Sequence, residues 1–169
     1  MTQTDEWSMR PAKSDDVWAI RRLVLSAWLD PTQIRWQQFW IIERVGLPLR
    51  RTYRSSISSA TSPIIGCGQL RNFDDAQELG SLVIHSKWRH HGLGTALTQK
   101  LIDIADRPLY LECLGDRLCE FYTHLGFLKA DWATMPSSMK KKFQTTRWLA
   151  QVLPVPLHIM QHSVKATDR

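Results

Sequence analysis

Apolar and polar positions follow two rhythms along this chain, one of strands and one of helices. Leu79-Gly80-Ser81-Leu82-Val83-Ile84 is a short, β-branched apolar run and reads as a buried strand. From Leu93 the rhythm changes: Leu93, Leu97, Leu101 and Ile104 recur at helical spacing, with Gln99, Lys100 and Asp103 opposite, so an amphipathic helix is predicted to start near Gly92. Upstream, Val17, Ile20, Val24 and Ala27, widened by Leu23, predict another helix. Ser14 is its expected cap, Asp15 and Asp16 suit its first turn, and Asp30-Pro31 ends or bends it. Residues 1–13 carry no period, because Pro11 and mixed polarity interrupt them, and read as a frayed lead-in.

The remaining stretches sort by composition. Residues 37–43 (QQFWIIE) favour a strand, with a helical continuation from Pro31 left open. Residues 63–72 (PIIGCGQLRN) read as a strand in which Gly66 and Gly68 mark a bulge or a close backbone approach. A turn at Asn72-Phe73-Asp74-Asp75 then returns the chain, which predicts an antiparallel meander of 38–44, 63–72 and 77–85. Between the first two lies 45–62, with Arg50, Arg51 and Arg54 before a serine-rich run, expected to be a long hairpin connection with 53–57 as extra strand. Beyond Pro108, LYLECL is another buried strand, and strand, helix, strand in sequence implies a right-handed parallel crossover. A short helix over 117–125 would place Leu118, Tyr122 and Leu125 on one face, with Gly126 stopping it. Pro136-Ser137-Ser138 opens a basic segment whose Met139, Phe143, Trp148 and Leu149 make a candidate helix face, and LHIMQH is a final strand. The fold class expected is mixed α/β, a mostly antiparallel sheet of about 6–7 strands with helices on both faces.

A chain of 169 residues is most simply one domain, 1–169, able to bury a full core. Its 43% hydrophobic and 22% charged content is that of a globular protein, and no apolar run approaches the roughly 18 residues of a membrane span. The N-terminal residues lack a secretory h-region, so no membrane partner and a cytoplasmic location are expected. Cys67, Cys113 and Cys119 form no C-x-x-C pair and read as small core residues. Neighbouring His90 and His91 cannot easily share a metal, so no metal is expected. The eight tryptophans are assigned mostly to the core, with Trp36, Trp40 and Trp132 as the alternative lining of a ligand pocket. The net charge of +6 suits an anionic ligand without choosing among coenzymes, nucleic acid and acidic proteins.

The junction between the 79–84 strand and the next helix carries the chemistry. A helix start presents N–H groups and a positive dipole end, a ready anion site. Gly92 and Gly94 let a ligand approach the backbone, and Arg89 can add a charge-assisted contact. A dinucleotide fingerprint fails on Leu97 in place of the third small residue, and no G-K-[ST] follows for a Walker loop.

Arg89-His90-His91-Gly92-Leu93-Gly94 does satisfy R-x-x-G-x-G after a strand, and EFYTHLGF, 120–127, follows about 30 residues on. Together they resemble the GNAT superfamily of acetyl-CoA-dependent N-acetyltransferases, whose coenzyme-binding half would cover about 63–130. The resemblance implies that Leu82, Val83 and Ile84 pair with the pantetheine arm. It implies that Arg89, His90, His91, Gly92, Leu93, Gly94 and Thr95 cradle the diphosphate. His90 departs from the glycine common there, and Gly115-Asp116 stand where many relatives place an asparagine.

The expected chemistry is direct attack by a neutral primary amine on the acetyl thioester in a ternary complex, where positioning supplies much of the rate. The Ile84 amide would polarise the carbonyl, and Tyr122 would act as acid toward the leaving thiolate. The usual pKa of a tyrosine, about 10, lies above that of a thiol, about 8.5, so a hydrogen bond alone can serve. Glu78 is the expected base, with Glu112 its rival. A module that binds acyl-CoA without catalysis is the alternative. Nucleic-acid binding through Arg50, Arg51, Arg54 and Lys140 to Lys142 is less favoured, since such runs are usually solvated faces. The acceptor is not legible, and a monomer or homodimer is expected.

Overall fold

The computed structural model describes residues 7–45, 63–149 and 155–163. Among these, seven strands and four helices alternate in a mixed α/β order. They are β1 (Trp7–Pro11), α1 (Val17–Ser26), β2 (Phe39–Arg44), β3 (Ile64–Asn72), β4 (Gln77–Ile84), α2 (Leu93–Ile104), β5 (Leu109–Leu114), α3 (Asp116–His124), β6 (Leu128–Lys129), α4 (Ser137–Leu149) and β7 (Leu157–His162). One seven-stranded sheet runs in the order β1-β2-β3-β4-β5-β7-β6. The β1–β2, β5–β7 and β6–β7 pairs are antiparallel and β4–β5 is parallel. β3 and β4 are joined by a turn closed by Phe73 N–H to Ala76 O, a connection short enough only for an antiparallel pair. The expected hairpin over 45–62 and its extra strand fall, beyond Val45, outside the described residues.

Two compact units account for the chain: Met1–Gly68 with Ser81–Leu97, and Gln69–Gly80 with Thr98–Arg169. In the first, Ile20, Leu23 and Val24 of α1 pack with Phe39, Ile41, Cys67 and Val83 of the strands. Gly66 permits this packing, since a Cβ there would stand 2.8 Å from Ile84 Cδ1. In the second, Met135, Met139 and Phe143 cover Ala76 and Tyr110.

Several elements differ from the sequence pattern. Trp7–Pro11 is not a frayed lead-in but an edge strand, paired from Trp7↔Arg44 to Pro11↔Trp40. Proline is tolerated there because it ends an edge strand, where a missing N–H costs no ladder bond. Strand β2 starts at Phe39, with a 3-10 turn over Trp36–Gln38 before it. The first helix is not capped by Ser14, whose hydroxyl reaches Asp15 instead. Asp16 holds the cap position without a side-chain bond to α1; its carboxylate instead accepts the Lys13 N–H at 2.7 Å and bonds from both Arg10 Nη groups at 2.7 and 3.1 Å. On α3, Tyr122 is buried but Leu118 is 46% exposed, because a nine-residue helix covers the sheet along a narrow stripe. Ile104 likewise reaches solvent, with Ile102 and Ala105 buried in its place. No tryptophan whose side chain is described is fully buried, and Trp18 and Trp28 are 72% and 97% exposed. Large rings are seldom enclosed completely, and these two flank α1, Trp18 in its first turn and Trp28 just past its end.

Burial alone would raise the Asp16 carboxyl, but the hydrogen bonds from Arg10 and Lys13, with their charges, carry it below the ordinary value of 3.8. A depressed carboxyl stabilises the fold above its unfolded pKa, and the contribution fades as pH falls through the folded value. Asp16→Asn is expected to cost roughly 1.5–3 kcal/mol at neutral pH, the range for hydrogen bonds to a charged group. The gap to wild type, measured by urea denaturation, should close below about pH 4.

Candidate active site

The first unit contains the strand-to-helix turn. Helix α2 opens its ladder with Ala96 N–H donating to Gly92 O, and a helix start directs its first N–H groups and positive dipole end outward. Upstream, His90 and Gly92 both adopt left-handed backbone, with φ of 65° and 76°. Alternation of this kind turns successive N–H groups toward one concavity. A Cβ built on Gly92 would meet nothing within 4 Å, so the space above that backbone is open. The positive φ also explains why glycine suits position 90, and histidine is among the few other residues that tolerate it. Arg89 does not project as a free fork: its Nε donates to Ile84 O at 3.2 Å and ties the turn to the end of β4. His91 Nδ1 lies 2.7 Å from Arg89 O.

Strand β4 itself is irregular. Ser81 has φ of 49°, a break in extension in mid-strand that no turn residue announced. Near its end the His85 N–H donates to Ile65 O on β3. Alternate amides of an extended strand point to opposite edges, so the Ile84 N–H points away from β3. The parallel ladder with β5 spans only Gln77↔Leu109 and Glu78↔Tyr110.

The candidate acid and base residues lie in the second unit. Glu78 is 2% exposed, so it is no solvated strand-end carboxylate. Arg71 Nη1 lies 3.2 Å from both its oxygens and Lys142 Nζ 3.5 Å from one. Gly80 makes room for this, because a Cβ there would stand 3.1 Å from the Arg71 guanidinium. Glu112 differs: desolvation pushes its carboxyl up, opposed by Lys142, and its buried Oε2 has no hydrogen-bond partner. Tyr122 is 7% exposed, edge-on to Phe121 and Phe127, and burial raises its hydroxyl far above the ordinary value. Cys67 and Cys113 are buried and pushed up to about 12, unfit as thiolate nucleophiles. Asp116 starts α3 but its carboxylate contacts His158 at 2.9 Å. The basic run on α4 is not a uniform solvated face: Lys140 donates to Ala133 O and Lys142 reaches Glu78. Arg50, Arg51 and Arg54 lie outside the described residues.

Glu78, Arg71, Lys142 and Glu112 thus form one cluster, of which the sequence had offered only the two carboxylates. The period-2 alignment of Glu78 with Tyr110 puts Glu78 and Glu112 on one face, but nothing local announced Lys142 above them. Among the described residues no group of three or more His, Cys, Asp or Glu is placed to hold a metal ion. No described helix is long and apolar enough to cross a membrane.

Such a turn offers an anion site beside a strand whose parallel partner leaves early. The model of the Acetyltransferase (GNAT) family matches residues 15–127, and the chain belongs to that family. Solved structures agree in fold. N-acetylglutamate synthase from Neisseria gonorrhoeae, in complex with coenzyme A and L-arginine, is 20% identical with a TM-score of 0.68. That match covers 96% of this chain but only 34% of the synthase, so the chain spans about a third of its length. Rv2747 from Mycobacterium tuberculosis, in complex with CoA, is 16% identical over 92% of this chain and 98% of its own, with a TM-score of 0.65. A GNAT-family acetyltransferase from Staphylococcus aureus is 14% identical over 94% and 99%, with a TM-score of 0.62. No curated protein matches the sequence.

Two outcomes follow from this geometry. At Gly92 only the backbone objects to a side chain, so Gly92→Ala should cost about 1–2 kcal/mol, the penalty of left-handed backbone, while His90→Gly removes such a penalty and raises the melting temperature. For Glu112, a raised carboxyl leaves the charged form disfavoured in the fold, so its destabilisation is absent below the ordinary value of 4.5 and grows as pH rises through the folded value. Glu112→Gln should therefore match wild type in acid and exceed its stability at neutral pH in denaturant titrations.

Proposed function

We infer that this protein transfers the acetyl group of acetyl-CoA to a primary amine by direct attack in a ternary complex. The observation that carries the reading is the turn at 89–94, with its left-handed residues at His90 and Gly92 and its open space ahead of helix α2. The CoA carried by the Neisseria and Mycobacterium proteins supports the same ligand class here. Amides of the segment from Arg89 to Thr95, His91 and Leu93 included, would hold the diphosphate, aided by the helix dipole. Leu82, Val83 and Ile84 would take the pantetheine arm along the edge of β4 facing away from β3, as an added strand pairs with an open edge. The Ile84 amide would donate to the thioester carbonyl as charge develops there.

For the base, the two carboxylates divide the roles. Glu78 sits between Arg71 and Lys142 with both oxygens engaged, whereas Glu112 is raised and keeps one oxygen unengaged. A base is more effective as its pKa approaches the working pH, so Glu112 is the better candidate, with Glu78 organising the charge around it. Tyr122, raised by burial, keeps its proton throughout the physiological range and would steady the leaving thiolate as a hydrogen-bond donor.

Release of CoA thiol, followed with a disulfide reagent across a panel of amines and peptides, tests the reading. Acetyl-CoA should also stabilise the protein, by about 2.7 kcal/mol at 100 times its dissociation constant. Stabilisation without thiol release from any acceptor would favour the non-catalytic acyl-CoA module. Once an acceptor is found, Tyr122→Phe should lower kcat about 10- to 100-fold, matching a hydrogen bond to a charged atom, without moving the alkaline limb of the pH profile. Unchanged turnover would remove the role.

A further inference from the structure

A cavity of about 540 Å³ opens in the first unit, where α1, the end of β2, the start of β3 and the residues after β4 meet. Its charged lining is wholly basic, Arg22, Arg44 and Arg89, with His85 and Trp88 between them and no aspartate or glutamate. The nearest acid in sequence, Glu43, is turned to Arg10 at 3.0 Å and does not neutralise it. Two of the guanidinium groups are already oriented: Arg44 lies 5.5 Å from the centre of the Trp88 ring, and Arg89 is held by Ile84 O. Arg22 has no acidic partner among the described residues, whereas its neighbour Arg21 lies over Trp18 at 5.3 Å. Like charges converging on a cavity of small-molecule size favour an anion, and guanidinium suits carboxylate or phosphate.

We propose that this cavity binds the anionic end of the acceptor, so that the substrates are amines bearing a carboxylate or phosphate. The proposal rests on the acetyltransferase reading above. Its geometric basis is Arg89, which lines the cavity and holds the carbonyl of Ile84, the residue whose amide is assigned to the thioester. An anionic group anchored there leaves the amino end of the same molecule near the end of β4. Pre-oriented arginines lose little freedom when they engage it, which favours discrimination over neutral amines.

The test uses the full chain and two pairs of probes, 4-aminobutyrate against butylamine and O-phosphoethanolamine against ethanolamine. Calorimetric binding in the presence of CoA and thiol release with acetyl-CoA are measured on wild type, Arg22→Gln and Arg22→Lys. In wild type at least one anionic probe should bind tenfold or more tighter than its neutral counterpart and be acetylated in preference to it. Arg22→Gln should lose about tenfold of that affinity with acetyl-CoA binding unchanged, and Arg22→Lys should recover part of it. Equal affinity within both pairs overturns the proposal. So does an Arg22→Gln variant that weakens acetyl-CoA as much as the anionic amine, which would give the cavity to the coenzyme's phosphates. Thiol release from neutral amines alone overturns this assignment and keeps the acetyltransferase reading. Anion binding with no thiol release from any amine removes that reading, and the acceptor assignment with it.

Discussion

The parallel ladder between β4 and β5 stops after Glu78 and Tyr110, and the functional geometry depends on that early end. A parallel pair that continued would engage the β4 edge that faces away from β3. Instead β5 is paired along its length, from Leu109 to Leu114, with antiparallel β7. The later residues of β4 are thereby released from the usual duty of a sheet interior. Ser81 breaks the strand's extension, Ile84 aims its amide away from β3, and Arg89 reaches back to fix the strand's last carbonyl. Had the ladder continued, the edge of β4 next to the strand-to-helix turn would be occupied by β5.

The carboxylates show how one face of a sheet creates two environments for one functional group. Glu78 and Glu112 are two positions apart in register and lie under the same helix, yet Arg71 and Lys142 claim the first and leave the second largely to desolvation. Lys142 comes from α4, which follows β6 in sequence and packs Met139 and Phe143 against Tyr110. The helix therefore covers the core and sets the charge balance at once, and a change in its packing would be felt as a change in acidity at Glu112.

Much of this was legible in the sequence wherever a single local rule governed the outcome. The 79–84 run became β4 and the helical period from Leu93 became α2, because burial of one face decides both. The R-x-x-G-x-G turn was readable because backbone geometry, not distant contacts, selects its residues. What could not be read depends on partners far along the chain. Trp7–Pro11 has no period of its own and becomes a strand only against β2. Glu78 was legible as a candidate base but its enclosure was not, since the cations around it stand seven residues before and 64 residues after it. Asp16, near the expected cap Ser14, has its carboxylate drawn inward by Arg10 on β1. Basic residues that line one cavity, Arg22, Arg44 and Arg89, come from three separate elements and share no spacing.

The place of β7 bears on how the molecule comes to exist. It is the last of the described strands in sequence but lies between β5 and β6, both made earlier. Until residue 162 has left the ribosome, β5 lacks its six-residue antiparallel partner and β6 has nothing to pair with. Met160, buried at 2% exposure, and the His162 ring against Phe127 arrive with it. Pairing of such sequence separation is slow to form and leaves strand edges bare meanwhile. The nascent chain therefore passes through a stage in which the β5 edge is open to any extended peptide, until β7 claims it.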